Sequence, residues 1–490
     1  MNVLRAFCAL VILTLPILAH AQGTVIPPSG DTTGRTDGAA INAALSTSLS
    51  ATLECNATYY TDISIQVLAG ARFVGCGYNS KIEGVGTITG GIVQLSAPSV
   101  DQWATQLVGN FQIIGGTATE AVLAGGPQGS GPYVGVHMFN IWVSGGTYTN
   151  AFWFSYFFNN QADNLIAGGA TTVSAACFHF DGAVNADVFN NLSATCGAPY
   201  GFYMQNDGGN GTSTGDTFNT VNAEGGCPGR GTAATCAGFY VGNQFGAITF
   251  NGLYVEAVLH PVVLGNAATG ANSGGLTFNS PVLTGSSVVT NQTALFDIED
   301  AFSVTVNAPE FNIYGLSESA PLSFSGGGCS TEPTAVAIPN PSGVIKAVTL
   351  TFQGAGCTSA PTITVGGAGS GASITAMESG GVVTKLTLAA GGSGYTLQGI
   401  VPVIYNKAVK SVTINDPYCT DYHAECWPFV VTASGASAGI EINNDALYTP
   451  AGSYIPVHMQ YTGSGNQHYV QYLDSSGVTH TLSVVPQAYP

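Results

Sequence analysis

Charged residues are scarce in this sequence of 490 amino acids. They make up 7% of the chain, and only nine are lysine or arginine, against 27 aspartates and glutamates. This balance disfavours binding to nucleic acid or to anionic membranes, because both are recognised by clustered Lys and Arg. Hydrophobic residues make up 45% of the chain, which is enough apolar surface to bury a core and argues against disorder.

Long hydrophobic runs are absent except at the amino terminus. Arg5, the apolar run AFCALVILTLPILA and the small residues AHA at 19–21 follow one another as in a secretory signal peptide. The run is short for a bilayer-spanning helix, which favours cleavage near Gln22 over an uncleaved membrane anchor. We therefore expect residues 1–21 to direct export, and the mature chain to be secreted into the periplasm or the extracellular space without a membrane partner.

Cysteine is present in a number that suits an exported chain. Of the eleven cysteines, Cys8 lies in the signal segment and ten remain, an even number that indicates disulfides. Connectivity does not follow from sequence, but the cysteines occur as near neighbours, which favours local pairs: Cys55/Cys76, Cys177/Cys196, Cys227/Cys236, Cys329/Cys357 and Cys419/Cys426. His423 makes a zinc site conceivable at the last pair, but the second half of such a motif is missing, and we expect no metal and no cofactor.

Two kinds of short apolar segment recur about every 30 residues. The first kind is VGVHM, AFWF, CFHF, GFYM, GFYV and PVVL, and the second begins with Phe-Asn at 189, 218, 250 and 278. Gly- and Asn-rich turns separate them, a pattern typical of stacked solenoid coils. The asparagines that follow each leading phenylalanine are expected to form a structural ladder along the stack: Asn190, Asn219, Asn251 and Asn279.

Strand alternation assigns a side to each residue of these segments. In the first kind, the inward positions are Phe178, Phe180, Phe202, Met204, Phe239 and Val241. The outward column is then His137, Trp153, His179, Tyr203, Tyr240 and Val263. In the second kind, the outward column is Thr195, Glu224, Glu256 and Thr284.

The segment DTTGRTDGAAINAAL at 31–45 resembles the entry segment of the pectate-lyase-like, right-handed parallel β-helix superfamily, which includes polygalacturonase-like enzymes and phage tailspikes. The resemblance implies an all-β fold, with a right-handed parallel β-helix over residues 22–325. Asp37 is expected to cap a short helix through Leu45 that covers the first coil. After the β-helix we expect a module of β-hairpin repeats at 326–407, where GVIKAVTLTFQGAGC and GVVTKLTLAAGGSGY match, and a small β module at 408–490.

Carboxylates are the candidate catalytic groups. The superfamily's strings N-T-D, D-D, H-G, R-I-K and R-x-P-x-x-R are absent, and few cations are available for lyase chemistry, since the mature chain has only the arginines Arg35, Arg72 and Arg230. Hydrolysis of a glycosidic bond needs only two carboxylates. Glu224 and Glu256 occupy equivalent positions on successive coils, about 4.8 Å apart, close to the roughly 5–5.5 Å of retaining glycosidases. The alternative is that both are solvated surface glutamates.

The predicted outward rings suggest what such carboxylates act on. Trp153, Tyr203 and Tyr240, with His137 and His179, would form a strip on which sugar rings can stack, unless loops or the C-terminal modules cover it. The sequence therefore predicts an exported β-helix that binds a neutral or weakly charged polysaccharide and hydrolyses it. The alternatives are a non-catalytic glycan-binding or adhesive surface protein, a pectate-lyase-type lyase, and a tailspike-like depolymerase, for which a homotrimer is expected.

Overall fold

The computed structural model describes part of the chain, and every structural statement below concerns that part. Outside it lie the predicted signal segment and the candidate disulfide cysteines Cys227, Cys236 and Cys426. The described residues are 23–96, 105–126, 133–206, 213–225, 237–243, 245–258, 260–265, 273–284, 294–312, 322–339, 344–366, 369–395, 401–405, 410–419, 430–431, 438–448, 454–461, 468–473 and 479–484.

One helix, Arg35–Ser48, lies at the start of the β-helix. Ile41 and Leu45 lie on the same face, one turn apart, and both are fully buried in the main hydrophobic core. Gly38 packs so closely on Thr61 that a Cβ would lie 2.3 Å from the threonine hydroxyl, so no larger residue fits there. The helix therefore covers the first coil, as the sequence predicts.

The predicted role of Asp37 as helix cap is wrong. The residue lies buried inside the first helical turn, and the N-cap is Gly34, which has no side chain to make the bond. The Asp37 carboxylate instead accepts the backbone N–H groups of Ser29 at 2.8 Å and Tyr60 at 3.0 Å, and so ties the helix to two neighbouring segments. The preceding Asp31 makes the local turn bonds, which lower its pKa to about 2.

Parallel strands from successive coils pair along the whole stack, which has about nine coils. The first strands are Thr24–Ile26, Ser50–Leu53, Ala57–Thr61, Ile65–Val67 and Arg72–Val74. Four long strands, together with the short Tyr133–Val134, then run around the corners of their coils: Ser80–Leu95, Leu107–Ala124, His137–Phe158 and Gln161–Asn185.

The later coils contain three recurring strands. The Phe-Asn strands are Val188–Asn190, Thr217–Asn219, Thr249–Asn251, Ser273–Asn279, Ala301–Asn307 and Lys410–Asn415. The glutamate strands are Ser193–Ala194, Asn222–Glu224, Tyr254–Glu256, Val282–Thr284, Glu310–Asn312 and Tyr418–Cys419. The aromatic strands are Tyr200–Met204, Ala237–Val241, Val262–Leu264, Ala294–Ile298, Val401–Tyr405 and Val430–Val431, and two coils add Ser213–Thr214 and Phe245–Gly246.

Stacked phenylalanines fill the core between these strands. One stack is Phe152, Phe178, Phe202 and Phe239, with successive ring centroids 4.9, 4.9 and 4.2 Å apart. The other is Phe189, Phe218, Phe250 and Phe278, at 4.7, 5.0 and 4.8 Å. The six residues predicted to point inward in the first kind of segment are all buried, so their inward assignment is confirmed.

The corner after each Phe-Asn strand is a single residue in the left-handed region. At Asn191, Thr220, Gly252, Ser280 and Ala308 the φ angles are +54°, +53°, +66°, +49° and +46°. Beside this corner the predicted asparagine ladder is present: each Nδ2 donates to Oδ1 of the preceding coil, at 2.8 Å from Asn219 to Asn190, 2.8 Å from Asn251 to Asn219 and 2.8 Å from Asn279 to Asn251. The ladder holds the corners in register.

A separate antiparallel unit follows Glu310–Asn312. It consists of Leu322–Ser325, Thr334–Pro339, Ile345–Phe352, Thr362–Val365, Ser370–Ser379 and Val382–Ser393, and it has a small hydrophobic cluster of its own. Coil strands resume after it, because Val401–Tyr405 pairs in parallel with Ala294–Ile298. The coil pairing thus continues past residue 325, and the predicted domain boundaries stay a prediction. The described chain ends in an antiparallel meander: Ala438–Tyr448, Tyr454–Tyr461, His468–Leu473 and Thr479–Val484.

Three of the predicted local disulfides lie within the described residues: Cys55–Cys76, Cys177–Cys196 and Cys329–Cys357. The first joins the segments that follow Ser50–Leu53 and Arg72–Val74, the second joins a coil strand to the corner after Ser193–Ala194, and the third closes a loop of the antiparallel unit. The pairing of Cys419 with Cys426 stays a prediction.

Candidate functional site

Glu224 and Glu256 are neighbours on adjacent coils. The parallel register pairs Glu224 with Glu256 and Glu256 with Thr284, as predicted. The intervening Ala223 and Val255 are buried in the core, so the two glutamates point outward, where both are half-buried. We call Glu224, Glu256 and Thr284 the glutamate column.

A neighbour on its own strand holds each of the two carboxylates. Asn222 donates from Nδ2 to Oε1 of Glu224 at 2.9 Å. The hydroxyl of Tyr254 donates to Oε2 of Glu256, and this bond, with burial and the two glutamate charges, raises the pKa of Tyr254 to about 12. Tyr254 therefore remains a hydrogen-bond donor to Glu256 at any physiological pH.

Four of the five predicted substrate-binding residues form one continuous column along paired strands of successive coils. The register pairs Trp153 with His179, His179 with Tyr203, Tyr203 with Tyr240, and Tyr240 with Val263. The ring centroids are 6.4 Å apart for Trp153 and His179, 5.0 Å for His179 and Tyr203, and 5.3 Å for Tyr203 and Tyr240. We call Trp153, His179, Tyr203, Tyr240 and Val263 the aromatic column.

The aromatic column is less exposed than a strip for sugar stacking requires. Tyr240 and Val263 are 4% and 0% exposed and form a small cluster with Ala237, against which Tyr200 and Tyr203 pack. Burial also lowers the pKa of His179 to about 4, so this imidazole is uncharged at neutral pH. The expectation of an open row of rings is therefore wrong for the end of the column at Tyr240, while Trp153, His179 and Tyr203 are half-buried.

His137 does not belong to the aromatic column. It starts the same long strand as Trp153 but pairs with Leu107 and Gln161, so it occupies the position of the Phe-Asn strands. Its Nε2 lies 2.6 Å from Oδ2 of Asp163, the residue that ends the asparagine ladder. The sequence assignment failed because VGVHM has the apolar composition of the aromatic strands, although His137 lies at the position of the Phe-Asn strands.

The glutamate column and the aromatic column lie on consecutive strands of the coil. One corner separates them: residues 196–199 lead from Ser193–Ala194 to Tyr200–Met204. The two columns are therefore on adjacent faces of the β-helix and not on one face.

Sequence reasoning missed two polar residues beside the aromatic column, Glu120 and Asn150. They pair with each other in register and are 6% and 5% exposed. Burial raises the pKa of Glu120 to about 7, although a hydrogen bond from Asn150 opposes the shift. The only signal in the sequence was that Glu120 lies three residues before Leu123. The register places Leu123 in line with Trp153. Without the repeat register of these early coils, nothing distinguishes that acid from a surface glutamate.

The described residues contain neither a metal-binding cluster nor a membrane-spanning helix. No group of three or more His, Cys, Asp or Glu side chains is placed to hold a metal ion within the described ranges. No helix in the described part of the chain has the length and apolarity to cross a bilayer.

Comparisons with known proteins give only remote similarity. No family model and no curated protein matches the chain. The catalytic domain of a GH87 alpha-1,3-glucanase in complex with tetrasaccharides is 12% identical, with a TM-score of 0.39 over 85% of this chain and 69% of that chain. The bacteriophage CBA120 tailspike protein 2 enzymatically active domain is 10% identical, with a TM-score of 0.33 over 89% of this chain and 72% of that one. The Acinetobacter baumannii phage AM24 tailspike protein is 12% identical, with a TM-score of 0.30 over 75% and 79%.

The parallel pairing of successive coils, and not these remote similarities, decides the fold. The chain is a parallel β-helix protein. The resemblance noted in the sequence is confirmed at the level of fold.

Proposed function

We propose that this protein binds a polysaccharide on the outside of its β-helix and hydrolyses it with Glu224 and Glu256. The observation that carries the proposal is the register of the two glutamates, which places them opposite each other on adjacent coils and pointing outward. Paired strands lie about 4.8 Å apart, which suits the roughly 5–5.5 Å between the carboxyl groups of retaining enzymes.

The hydrogen bonds of the pair suggest a role for each member. Glu256 accepts the hydroxyl of Tyr254, which holds its carboxylate in place, so we assign Glu256 as the nucleophile that attacks the anomeric carbon. Glu224 donates its proton to the leaving oxygen as the glycosidic bond breaks. Water then attacks the glycosyl–Glu256 ester and gives its proton to Glu224, which releases the sugar and restores both carboxyl groups.

Binding without hydrolysis is the second candidate function. It is favoured by the position of the aromatic column, which lies on the face next to the glutamates and not around them. In that case the glutamates are surface groups held by Asn222 and Tyr254, and the protein is a glycan-binding or adhesive protein.

The deciding experiment compares the mature chain with the double variant Glu224→Gln/Glu256→Gln on neutral and acidic polysaccharides. Reducing ends and the ultraviolet absorbance of unsaturated uronates are followed together. We expect new reducing ends without absorbance, and a loss of at least about a hundredfold in rate in the double variant. Glu310→Gln is the matched control, because Glu310 is an outward, half-buried glutamate of the neighbouring column.

Each other outcome selects an alternative. A rise in absorbance means a lyase and contradicts the proposed mechanism. Binding of a polysaccharide without any cleavage leaves the glycan-binding function. Equal loss in Glu310→Gln and in the double variant shows that the glutamate pair has no special role.

Export is part of the proposal. The three disulfides support it, because disulfides persist in oxidising compartments. Expression of the full chain followed by cell fractionation and N-terminal sequencing is expected to give a secreted product that begins near Gln22. The homotrimer expected for a tailspike-like protein stays a prediction, which light scattering of the purified chain tests.

A further inference from the structure

We propose that Glu120, Asn150 and Trp153 form a subsite that binds the hydroxyl groups of one uncharged sugar residue. The inference rests on the proposed polysaccharide binding and deepens it, because it names the polar contacts and the class of sugar. It assigns Glu120 and Asn150 to a site away from Glu224 and Glu256. This site lies on the face of the β-helix that carries the aromatic column, which we call the aromatic face.

The strand register places all three side chains on the outer face. Glu120 pairs with Asn150, and that line continues through Ala176 to Tyr200, which packs in the outer aromatic cluster and not in the core. Trp153 is three residues after Asn150 and heads the aromatic column. Between them, Ala151 and Phe152 both lie in the core, so the strict alternation of the strand is interrupted and Asn150 and Trp153 are both outward positions.

Two polar atoms of this group have no hydrogen-bond partner within the described part of the chain. Asn150 donates a hydrogen bond to the Glu120 carboxyl, but its own Oδ1 is buried without a partner among the described residues. The same is true of Nε1 of Trp153. Buried polar atoms are almost always satisfied, and leaving one unsatisfied costs about 1–3 kcal/mol. One acceptor and one donor without partners on neighbouring outward positions therefore indicate a bound group that both donates and accepts.

The chemistry of this face selects an uncharged sugar. A hydroxyl group both donates and accepts, so it can satisfy Asn150 Oδ1 and Trp153 Nε1. Burial of Glu120 favours its protonated form, which adds a donor without a charge, and the nearby His179 is uncharged at neutral pH. Without a fixed positive charge, the group has nothing to offset the desolvation of a uronate carboxylate. Trp153 is half-buried, so part of its indole is accessible from the outer face.

The test measures binding in the absence of cleavage. All variants carry Glu224→Gln/Glu256→Gln, and the probes are maltoheptaose, laminarin and galactomannan, with polygalacturonate as the charged probe, titrated by calorimetry. Trp153→Phe keeps an aromatic ring and removes the N–H donor, and Glu120→Gln keeps the shape and removes the acid. Trp142→Phe is the matched comparison, because Trp142 also has a buried Nε1 without a partner in the described chain. Trp142 lies instead on the face that carries the glutamate column, which we call the glutamate face.

We expect one neutral probe to bind, and its Kd to rise about three- to tenfold in Trp153→Phe. Glu120→Gln is expected to give a similar rise, and polygalacturonate is expected not to bind. The subsite is excluded if Trp153→Phe and Glu120→Gln leave the Kd unchanged, since the buried atoms then hold water only. It is equally excluded if Trp142→Phe alone weakens binding, which places the glycan on the glutamate face.

The failure of this inference is distinct from the failure of the proposed function. In both excluding outcomes a neutral polysaccharide still binds and is still cleaved by the chain with intact glutamates. If none of the probes binds to any variant, the proposed polysaccharide binding itself is contradicted, and the subsite with it.

Discussion

Asn190 donates a hydrogen bond from Nδ2 to Oδ1 of Asp163 at 2.6 Å, and this contact ends the asparagine ladder at a carboxylate. Every amide of the ladder points the same way, from Asn415 through Asn307 to Asn190, so the bonds polarise one another and the N–H end meets the negative charge. On its other side Asp163 contacts His137, so a structural ladder connects to a titratable pair near the surface.

The middle of the ladder is expected to contribute more to stability than one amide normally does. Asn251→Ala removes the bond to Asn219 and leaves Asn279 without its acceptor, which we expect to lower the free energy of unfolding by about 2–3 kcal/mol. Urea unfolding followed by circular dichroism measures the loss. Thr249→Ala, two residues earlier on the same strand and facing outward, is the control with a change of less than about 1 kcal/mol. Equal losses in both variants mean that the ladder has no cooperative role.

Asp163 makes stability depend on pH in the acid range. Burial raises its pKa, but hydrogen bonds from Asn190, Gln161 and His137 outweigh this, so the pKa of Asp163 is lowered in the folded protein. A lowered pKa stabilises the fold at pH values above the unfolded value of about 3.9, and the contribution is lost as pH falls through the folded pKa. Asp163→Asn should therefore lower the midpoint of urea unfolding at pH 7 and leave it nearly unchanged at pH 2. The same shift at both pH values would show that the charge of Asp163 is irrelevant.

The regular coils could be predicted from the sequence because each of their signals repeats. One coil contains Phe218, Asn219 and Glu224, and the next contains Phe250, Asn251 and Glu256 at the same spacing. Strand order, inward side and register therefore all follow from comparing the two coils. The ladder and the outward glutamates were correctly predicted for this reason.

The aromatic face could not be predicted in the same way. Tyr240 is buried in a cluster with Ala237 and Val263, so alternation gives the direction of Tyr240 but not its depth. His137 was misassigned because both strand kinds are apolar. Glu120 was missed because the next two residues, Ala121 and Val122, both lie in the core and so break the simple alternation. Local periodicity identifies a face, whereas the depth of a side chain depends on tertiary contacts.

The disulfide Cys177–Cys196 is expected to hold the corner between the two candidate faces. Cys177 precedes the core residue Phe178, and Cys196 starts the corner that leads to Tyr200. The double variant Cys177→Ala/Cys196→Ala opens a loop with a sequence separation of 19 residues, which we expect to lower the free energy of unfolding by about 2–4 kcal/mol. Thermal unfolding measures the loss, and Cys329→Ala/Cys357→Ala in the separate antiparallel unit is the comparison. If reduction with dithiothreitol changes the Tm of wild type and variant alike, this disulfide does not stabilise the β-helix.

Asp187 and Asp216 are expected to destabilise the protein at alkaline pH. Asp187 Oδ1 accepts the N–H of Asn160 at 2.6 Å, and Asp216 Oδ1 accepts the N–H of Asp187 at 3.0 Å, so each joins its coil to the one before. Burial, with the neighbouring charge of Asp216, raises the pKa of Asp187 to about 9, and burial raises that of Asp216 to about 8. A raised pKa means that the stabilising, protonated form contributes fully below the unfolded value of about 3.9, and that this contribution is lost as pH rises through the folded values.

Asparagine is the natural replacement at Asp187, because Asn160 makes the same bond in the preceding coil, where its Oδ1 accepts the N–H of Val136 at 2.7 Å. Asp187→Asn keeps the acceptor and removes the charge, and Oδ2 of Asp187 has no partner to lose among the described residues. We expect the variant to be at least about 1 kcal/mol more stable than the wild type at pH 9 and about equally stable at pH 4. Urea unfolding across this pH range tests it, with Asp163→Asn as the variant of opposite sign. A variant that is less stable at pH 9 would show that the carboxylate itself is required, because the amide cannot replace it at this corner.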